Sequence, residues 1–353
     1  MNRDGACTSL WQNTVEEFNG KPGSIDNKIV DVLIVGGGIT GVATGLQLQK
    51  QGKQCIIAES HNLCFGTTGG TTAHLNTFFD TSYDVIEKKF GESNAQLMAK
   101  AAKESLNLIK QNVTSYNIDC GYENKDGYLF SQSKDQTEEL DRIYMASVKS
   151  GVELSYSSTI PFDVPFEKAI CYHMQAQFHP TRYVTSLAKE FEKAGGQIFE
   201  NCHVHKFSGD ENMLEIETER GIIKARYLIY ATHIPPGINL LHFRCAPYRS
   251  YAVAAILKNN NYPDGLAYDM YDPYHYYRTQ EVDGINYLIA GGEDHKTAHE
   301  QNTESCFTRL EAHLKKYFDI QEIPYRWSSQ FFEPADGLAY IGRLPGNPEN
   351  VLV

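Results

Sequence analysis

The stretch that decides the fold is "VDVLIVGGGITGVATGLQLQKQGKQCIIAES", residues 30–60. It opens with a short β-branched run, Val32 to Val35, that is typical of a buried parallel strand. Apolar residues then recur at helical spacing, and Gly52 stands where a left-handed residue commonly caps a helix. A second apolar run ends at Glu59. The stretch therefore predicts a strand, a helix and a second strand in about thirty residues, which is a βαβ crossover unit.

The first turn of this unit carries a glycine fingerprint. Gly36, Gly38 and Gly41 form G-x-G-x-x-G. The first glycine makes the tight turn, the second lets a pyrophosphate approach the backbone, and the third lets helix and strand pack closely. Ile39 and Thr40 lie inside the motif and are predicted to contact the same ligand. The alternative is a glycine turn in some other doubly wound protein.

An acid closes the second strand of the unit. Glu59 can accept hydrogen bonds from ribose hydroxyls, and Ser60 follows it directly. An acid at this position serves the adenosine ribose of FAD or of NAD. The fingerprint therefore predicts a dinucleotide site and leaves the choice of dinucleotide open.

The composition narrows the class of protein. The 353 residues are 41% hydrophobic and 22% charged. No window of about eighteen apolar residues occurs, so we expect a soluble protein of two packed domains with no membrane partner. The net charge is −12, and the scattered lysines and arginines leave no basic patch for nucleic acid. The cysteines form no C-x-x-C pair, which argues against zinc or iron–sulfur ligation. We expect reduced thiols, no bound metal and a cytoplasmic location.

A run of small and hydroxylated residues, "CFGTTGGTTAH" (64–74), follows the second strand. Its backbone amides and threonine hydroxyls suit a closely held ligand. Together with "SLWQ" and "VGGGITG", it resembles the D-amino-acid-oxidase-like family of FAD enzymes, which includes glycine and sarcosine oxidases. The resemblance is strongest to the branch whose full-length members carry a C-terminal Rieske domain. It implies non-covalent FAD and a loop around the flavin formed by Thr67, Thr68, Thr71, Thr72 and Ala73.

The resemblance extends over nearly the whole chain. It implies that Val204 presents its backbone to the adenine and that Ala231 and Thr232, at the end of "ARYLIYATH", contact the cofactor. It also implies that Gly342 closes a late segment that approaches the flavin. The alternative, from the local sequence pattern alone, is that each of these positions is an ordinary strand or turn residue.

The expected fold is α/β, with a Rossmann-like FAD-binding domain and a second α+β substrate domain built on a largely antiparallel sheet. The N-terminal extension is expected to drape over the surface. The predicted limits are 1–25 for that extension, 26–75, 166–245 and 335–353 for the FAD-binding domain, and 76–165 and 246–334 for the substrate domain.

The candidates for catalysis or substrate contact are Tyr276, Tyr277, Arg278 and His74. Their alternatives are packed tyrosines, a solvated strand cation, and a loop histidine that only makes hydrogen bonds. His74 is also a candidate covalent flavin tether. In the amino-acid oxidases that the chain resembles, an arginine clamps the substrate carboxylate, and the aligned position here is Phe331. We therefore expect an amine without an α-carboxylate, unless Arg278 takes over the clamp.

The function expected from these features is FAD-dependent oxidation of a C–N bond in a small amine or amino acid, by hydride transfer to flavin. A dehydrogenase is favoured, with an electron acceptor outside this chain such as a Rieske domain. The terminal "NVLV" resembles a strand that feeds a further flavin-capping turn, so we expect a longer natural protein. The alternatives are a non-catalytic flavin-binding or scaffold protein and an NAD-dependent dehydrogenase, against which the threonine loop argues.

Overall fold

The computed structural model describes residues 7–20, 23–237 and 239–353. The helices are α1 (Leu10–Asn13), α2 (Ile39–Lys50), α3 (Thr67–Gly70), α4 (Tyr83–Phe90), α5 (Glu92–Ser115), α6 (Lys134–Lys149), α7 (Pro180–Lys193) and α8 (Thr303–Leu314). The strands are β1 (Lys28–Val35), β2 (Cys55–Ala58), β3 (His74–Leu75), β4 (Glu123–Ser131), β5 (Leu154–Ser157), β6 (Lys168–Gln177), β7 (Gln197–Phe199), β8 (Val204–Gly209), β9 (Leu214–Thr218), β10 (Gly221–Tyr230), β11 (Cys245–Leu257), β12 (Leu266–Tyr268), β13 (His275–Val282), β14 (Ile285–Lys296), β15 (Ile320–Pro334) and β16 (Val351–Leu352). Within these ranges no helix combines the length and the apolar character that crossing a bilayer requires.

The predicted βαβ unit forms the centre of a seven-stranded sheet. Its strands run in the order β7-β2-β1-β10-β9-β8, with β16 beside β10. The pairs β1–β2, β1–β10, β2–β7 and β10–β16 are parallel, whereas β8, β9 and β10 pair antiparallel. The run from Val32 to Val35 is buried in apolar clusters on both faces of the sheet, as a central parallel strand requires. The Rossmann-like half of the fold is confirmed.

The second sheet has nine strands and is almost entirely antiparallel. Its order is β15-β11-β14-β13-β12-β4-β6-β3, with β5 beside β6. The pair β12–β4 is parallel. The helix α8 packs on the sheet through Phe307, Leu310 and Leu314. The α+β half of the predicted fold is confirmed as well.

Two strands lie on the other side of the predicted domain limits. β3 falls inside 26–75 but pairs with β6 in the larger sheet. β6 falls inside 166–245, which the sequence assigned to the FAD-binding domain, but it pairs antiparallel with β4 in the larger sheet. Pairing between segments far apart in the sequence decides sheet membership, and local pattern does not reveal it. We propose that the domain boundary follows β6, because α7 begins there and packs on α2 of the smaller sheet.

The surface-draped interpretation of the N-terminal extension is wrong for residues 9–11. Ser9 caps α1 through its own side chain and is buried, as are Leu10 and Trp11. Both apolar side chains pack with Trp327 and the alanines of β11. The short helix therefore belongs to the core between the two sheets.

Candidate functional site

A cavity of about 1050 Å³ lies between the two sheets. One wall comes from the carboxyl ends of β1, β2 and β10, and the other from β3 and β15. Such ends are where ligands bind in open α/β sheets. The lining includes these predicted cofactor residues: Gly36, Gly38, Ile39, Thr40, Glu59, Ser60, Thr67, Thr68, Thr71, Ala73, Val204, Ala231 and Thr232.

The glycine turn at one end of the cavity has little room for side chains. Gly36 has φ +114°, and a Cβ there would lie 2.5 Å from the Ala231 oxygen. A Cβ on Gly41 would lie 1.9 Å from the Gly36 oxygen, so Gly41 lets α2 approach the strand although it does not line the cavity. Gly38 is the N-cap of α2 and has no side chain to satisfy the first-turn amides. The turn therefore presents helix N–H groups to the cavity.

Glu59 joins the end of β2 to that turn. Its Oε2 accepts a hydrogen bond from Gly37 N–H (2.6 Å), and its Oε1 accepts one from His61 N–H (2.8 Å). The carboxylate is thus held at the cavity wall in a fixed orientation, where its remaining lone pairs can accept from a ligand hydroxyl.

The threonine loop is fixed from its outer side. Four consecutive carbonyls, from residue 69 to residue 72, each accept a hydrogen bond from a buried side chain. The pairs are Ser9 Oγ to Gly69 O (2.5 Å), Trp327 Nε1 to Gly70 O (2.8 Å), Trp11 Nε1 to Thr71 O (2.6 Å) and Arg278 Nε to Thr72 O (2.6 Å). On the inner side, Thr68 Oγ1 accepts from Ile39 N–H (3.0 Å) and so links the loop to the glycine turn. The N-terminal helix α1 is therefore a structural support of this wall.

His74 lies at the end of the cavity nearest the larger sheet. Burial, followed by the field of Arg278, lowers the pKa of its imidazole to about 3. Its Nε2 faces the Tyr277 carbonyl (3.3 Å), which only accepts, so Nε2 carries the proton and Nδ1 accepts from Thr72 Oγ1 (3.1 Å). The ring is neutral, and both of its nitrogens are engaged inside the protein, which argues against a covalent tether.

The structure corrects two of the predicted substrate contacts. Tyr277 is fully buried, packs with Phe162 and Phe318, and shares a 2.5 Å hydrogen bond with His313 on the far face of the sheet. Arg278 is also fully buried rather than solvated. It donates to Thr72 O of the threonine loop, to Phe178 O and to Gln280 Oε1 of β13, so all three arms of its guanidinium are already engaged inside the protein.

The remaining predicted site residues lie in different positions relative to the cavity. Tyr276 lies on the cavity side of β13, with its ring 5.5 Å from that of His74. Thr72 is buried behind the lining. Gly342 lies outside the lining and exchanges backbone hydrogen bonds with Val353, because the chain end folds back as a small antiparallel bridge. A flavin contact by Gly342 is therefore not supported by the position of its backbone.

Sequence reasoning missed several lining residues. They are His61, Phe65, Cys202, His203, Pro235, His242, Gln330 and Phe332. The positions 202 and 203 adjoin the predicted Val204, so the signal was present there. Phe331 does not line the cavity and stacks on Tyr248 at 5.6 Å, whereas its two neighbours do line it. Only strand register, which pairs Phe331 with Tyr248, determines that difference.

Residues 31–353 match the family of FAD-dependent oxidoreductases termed DAO. The chain belongs to this family. YhfW of Bacillus subtilis, named as a Rieske 2Fe-2S iron–sulfur protein, is 30% identical over 350 residues, which cover 99% of this chain and 68% of that protein. Gamma-glutamylputrescine oxidoreductase of Escherichia coli is 26% identical over 208 residues, which cover 57% of this chain and 48% of that protein. The crystal structure of glycine oxidase from Geobacillus kaustophilus has a TM-score of 0.76 at 17% identity, covering 93% of this chain and 89% of that one.

The cofactor of this FAD-dependent family fits the cavity. A Cβ on Gly38 would lie 2.9 Å from Thr68 Oγ1, so the bare glycine keeps the entrance to the α2 amides open for a diphosphate. Glu59 is held where a ribose would need an acceptor. The volume of about 1050 Å³ lies at the upper end of ordinary ligand pockets, as an extended dinucleotide requires.

The groups of side chains that could hold a metal ion lie outside the lining of the cavity. All eight cysteines are free thiols. Among the described residues, two groups bring three ligand atoms within 4.8 Å of one another: Asp126 with Cys171 and His173, and Asp269 with His275 and His313. Neither has the two cysteines and two histidines of a Rieske cluster. The absence of a bound metal stays a prediction.

Proposed function

We propose that this chain oxidises the C–N bond of a small amine that lacks an α-carboxylate, with FAD as the two-electron acceptor. The observation that carries the substrate half of the proposal is the commitment of Arg278 to Thr72 O, Phe178 O and Gln280. That arginine was the predicted replacement for a carboxylate clamp, and its buried hydrogen bonds make it costly to recruit. At the aligned clamp position, the ring of Phe331 stacks on that of Tyr248, so this position offers aromatic rings in place of a cation.

The side chains around His74 support a role in positioning rather than in proton transfer. The neutral imidazole and the phenol of Tyr276 form an aromatic end wall. Burial, and then the field of Asp294, raises the pKa of Tyr276 well above its usual value, so the phenol keeps its proton. Such a wall excludes water and holds an amine carbon against the cofactor. Bound FAD supplies the electron acceptance, and the chain supplies binding and orientation.

The electron acceptor is proposed to lie outside the described residues. The name of YhfW, a Rieske protein, supports a metal centre as the partner. Reduced flavin in this chain should then react slowly with oxygen and faster with a one-electron acceptor such as ferricenium. Rapid mixing of the anaerobically reduced protein with each acceptor measures the two rates. Fast reoxidation by oxygen with stoichiometric hydrogen peroxide contradicts the dehydrogenase assignment.

The substrate assignment is tested by anaerobic bleaching of the FAD-loaded protein. Simple amines are expected to reduce the flavin faster than glycine, sarcosine or D-alanine. The Phe331→Arg variant, compared with Phe331→Leu as a matched control, is expected to shift the preference toward the amino acids. An α-amino acid as the best substrate of the unaltered chain, with no gain in Phe331→Arg, overturns the proposal.

A further inference from the structure

A second binding feature adjoins the cavity on the other side of His74. Three tyrosines and two aspartates lie there, and we name them the tyrosine–aspartate cluster: Tyr268, Tyr274, Tyr276, Asp80 and Asp294. The His74 ring, which lines the cavity, lies 5.3 Å from the ring of Tyr268 and 5.5 Å from that of Tyr276. The rings of Tyr274 and Tyr276 are 5.5 Å apart. His74 is therefore the wall that the cavity and the cluster share.

Local backbone structure creates this cluster. A Cβ on Gly291 would lie 2.3 Å from the Tyr276 ring, so the bare glycine lets that ring lie across the sheet. Glu293 has φ +58°, a left-handed conformation that interrupts the regular strand. The Glu293 carboxylate makes hydrogen bonds with Arg309 and His275. The next residue, Asp294, lies instead near Ser250 and Tyr276. The bulge thus brings a carboxylate to the cavity side of the sheet.

The carboxyl of Asp294 receives a hydrogen bond from Ser250, which lowers its pKa, but one of its two oxygens has no partner among the described residues. That oxygen, Oδ1, is buried. Burial, and secondarily the field of Asp80, raises the pKa of the carboxyl to about 7. His275 is the cation whose field reaches it, and that ring is itself held by Asp269 and Glu293. A buried carboxylate oxygen without a donor implies a ligand that brings one.

The surroundings of Asp294 carry the same sign of charge. Asp80 is exposed to solvent. Desolvation by the surrounding protein atoms, and secondarily the field of Glu333, nevertheless raise the pKa of its carboxyl. Glu333 in turn acts on Tyr248, whose ring stacks on Phe331. Arg278, two residues after Tyr276 on β13, is engaged by Thr72 O of the threonine loop and by Gln280 Oε1 of β13. Carboxylates beside tyrosine faces attract an ammonium group through both charge and cation–π contact.

We propose that the tyrosine–aspartate cluster binds a second cationic group of the substrate, remote from the C–N bond that is oxidised. The substrate class is therefore a diamine or a longer polyamine. Its far ammonium donates to Asp294 Oδ1, lies against the tyrosine rings, and is attracted by Asp80. This inference rests on the proposed amine oxidation and specifies its substrate.

Three probes of equal chain length test the inference by binding to the FAD-loaded protein. They are 1,4-diaminobutane, n-butylamine and 4-aminobutyrate, which each contain four carbons. The carbon at the far end carries an ammonium group in the first, is a methyl group in the second, and is a carboxylate in the third. Changes in the flavin absorbance spectrum at about pH 8, where Asp294 is ionised, give the dissociation constants. The diamine is expected to bind at least about tenfold more tightly than butylamine, and 4-aminobutyrate more weakly than both.

The isosteric Asp294→Asn variant should reduce the preference for the diamine over butylamine to within about threefold. Asp80→Asn should reduce it in the same direction and serves as the second variant if Asp294→Asn does not fold. The control is Glu211→Gln, which changes the net charge equally at an exposed turn and should leave the preference unchanged. Equal binding of the diamine and butylamine, or a preference that survives both aspartate variants, overturns the inference.

Anaerobic bleaching in the same samples separates this inference from the proposed function. If the diamine binds selectively and no amine reduces the flavin, the binding site stands and the proposed oxidation fails. If butylamine reduces the flavin as well as the diamine does and binds equally, amine oxidation stands and the cationic subsite is wrong.

Discussion

Replacement of Trp11 tests whether the N-terminal helix holds the flavin loop in place. Trp11 is fully buried, donates to Thr71 O at 2.6 Å, and lies 5.0 Å below the Arg278 guanidinium. Trp11→Phe keeps an aromatic ring but leaves the Thr71 carbonyl without its donor. An unsatisfied buried carbonyl costs about 1–3 kcal/mol. Trp11→Ala also creates a cavity, for a total loss of about 3–5 kcal/mol.

Part of that loss should appear as weaker cofactor binding. If the loop must be reordered when FAD binds, at most the whole of this loss of about 1–3 kcal/mol appears in the binding free energy. The dissociation constant for Trp11→Phe then rises by at most about fivefold to 160-fold. The dissociation constant is measured by titrating the apoprotein with FAD and monitoring the fluorescence of the flavin, which does not depend on the replaced tryptophan. Urea unfolding without FAD measures the loss of stability separately.

The matched control is Tyr83→Phe, which removes a buried hydroxyl that donates to Thr77 O at 2.7 Å, outside the cavity lining. It should lower stability by a comparable amount and leave FAD affinity within about twofold. If Trp11→Phe and Tyr83→Phe change FAD affinity equally, the loop is not supported by α1 in the way that the structure implies.

Three further predictions concern single side chains. Glu59→Ala should weaken FAD binding without abolishing it, by the roughly 1.5–3 kcal/mol of a hydrogen bond to a charged acceptor, and complete loss measured by titration contradicts the role as a ribose acceptor. Asp294→Asn should stabilise the apoprotein by up to about 4 kcal/mol at about pH 8 and hardly at all at about pH 4. The reason is that the raised pKa of Asp294 makes the native state lose stability as pH rises from 3.8 to about 7. Urea unfolding at both pH values measures the difference, and a larger effect at low pH contradicts the prediction. Tyr277→Phe should leave amine-dependent flavin reduction unchanged in stopped-flow measurements, whereas Tyr276→Phe should alter the substrate affinity. An effect of Tyr277→Phe with none of Tyr276→Phe contradicts the side of β13 on which the structure places each side chain.

The sequence was most informative where structure depends on near neighbours. The βαβ unit, the glycine turn and Glu59 could be located because strand and helix periodicity and turn chemistry all lie within about thirty residues. The carboxyl ends of adjacent parallel strands then had to meet, which places Ala231 beside Gly36. Most of the predicted cofactor residues line one cavity for that reason.

The features that the sequence did not reveal depend on long-range pairing or on strand parity. Tyr276 and Tyr277 are adjacent and alike, and the register of β13 alone sends one toward His74 and the other into the core. Asp294 reaches the cavity side through the bulge at Glu293, which a regular alternation does not predict. Trp11 is buried because its partners, Trp327 and the alanines of β11, come from the other end of the chain.

We propose that FAD binds in the cavity between the two sheets, against the glycine turn and the threonine loop. The most direct measurement is the cofactor content of the purified chain and of its Gly38→Val variant, released by heat and identified by chromatography and absorbance. We expect FAD in the unaltered protein and none in Gly38→Val, because the added methyl groups fill the entrance to the α2 amides. A colourless protein whose melting temperature does not respond to added FAD, or full FAD content in Gly38→Val, contradicts the claim.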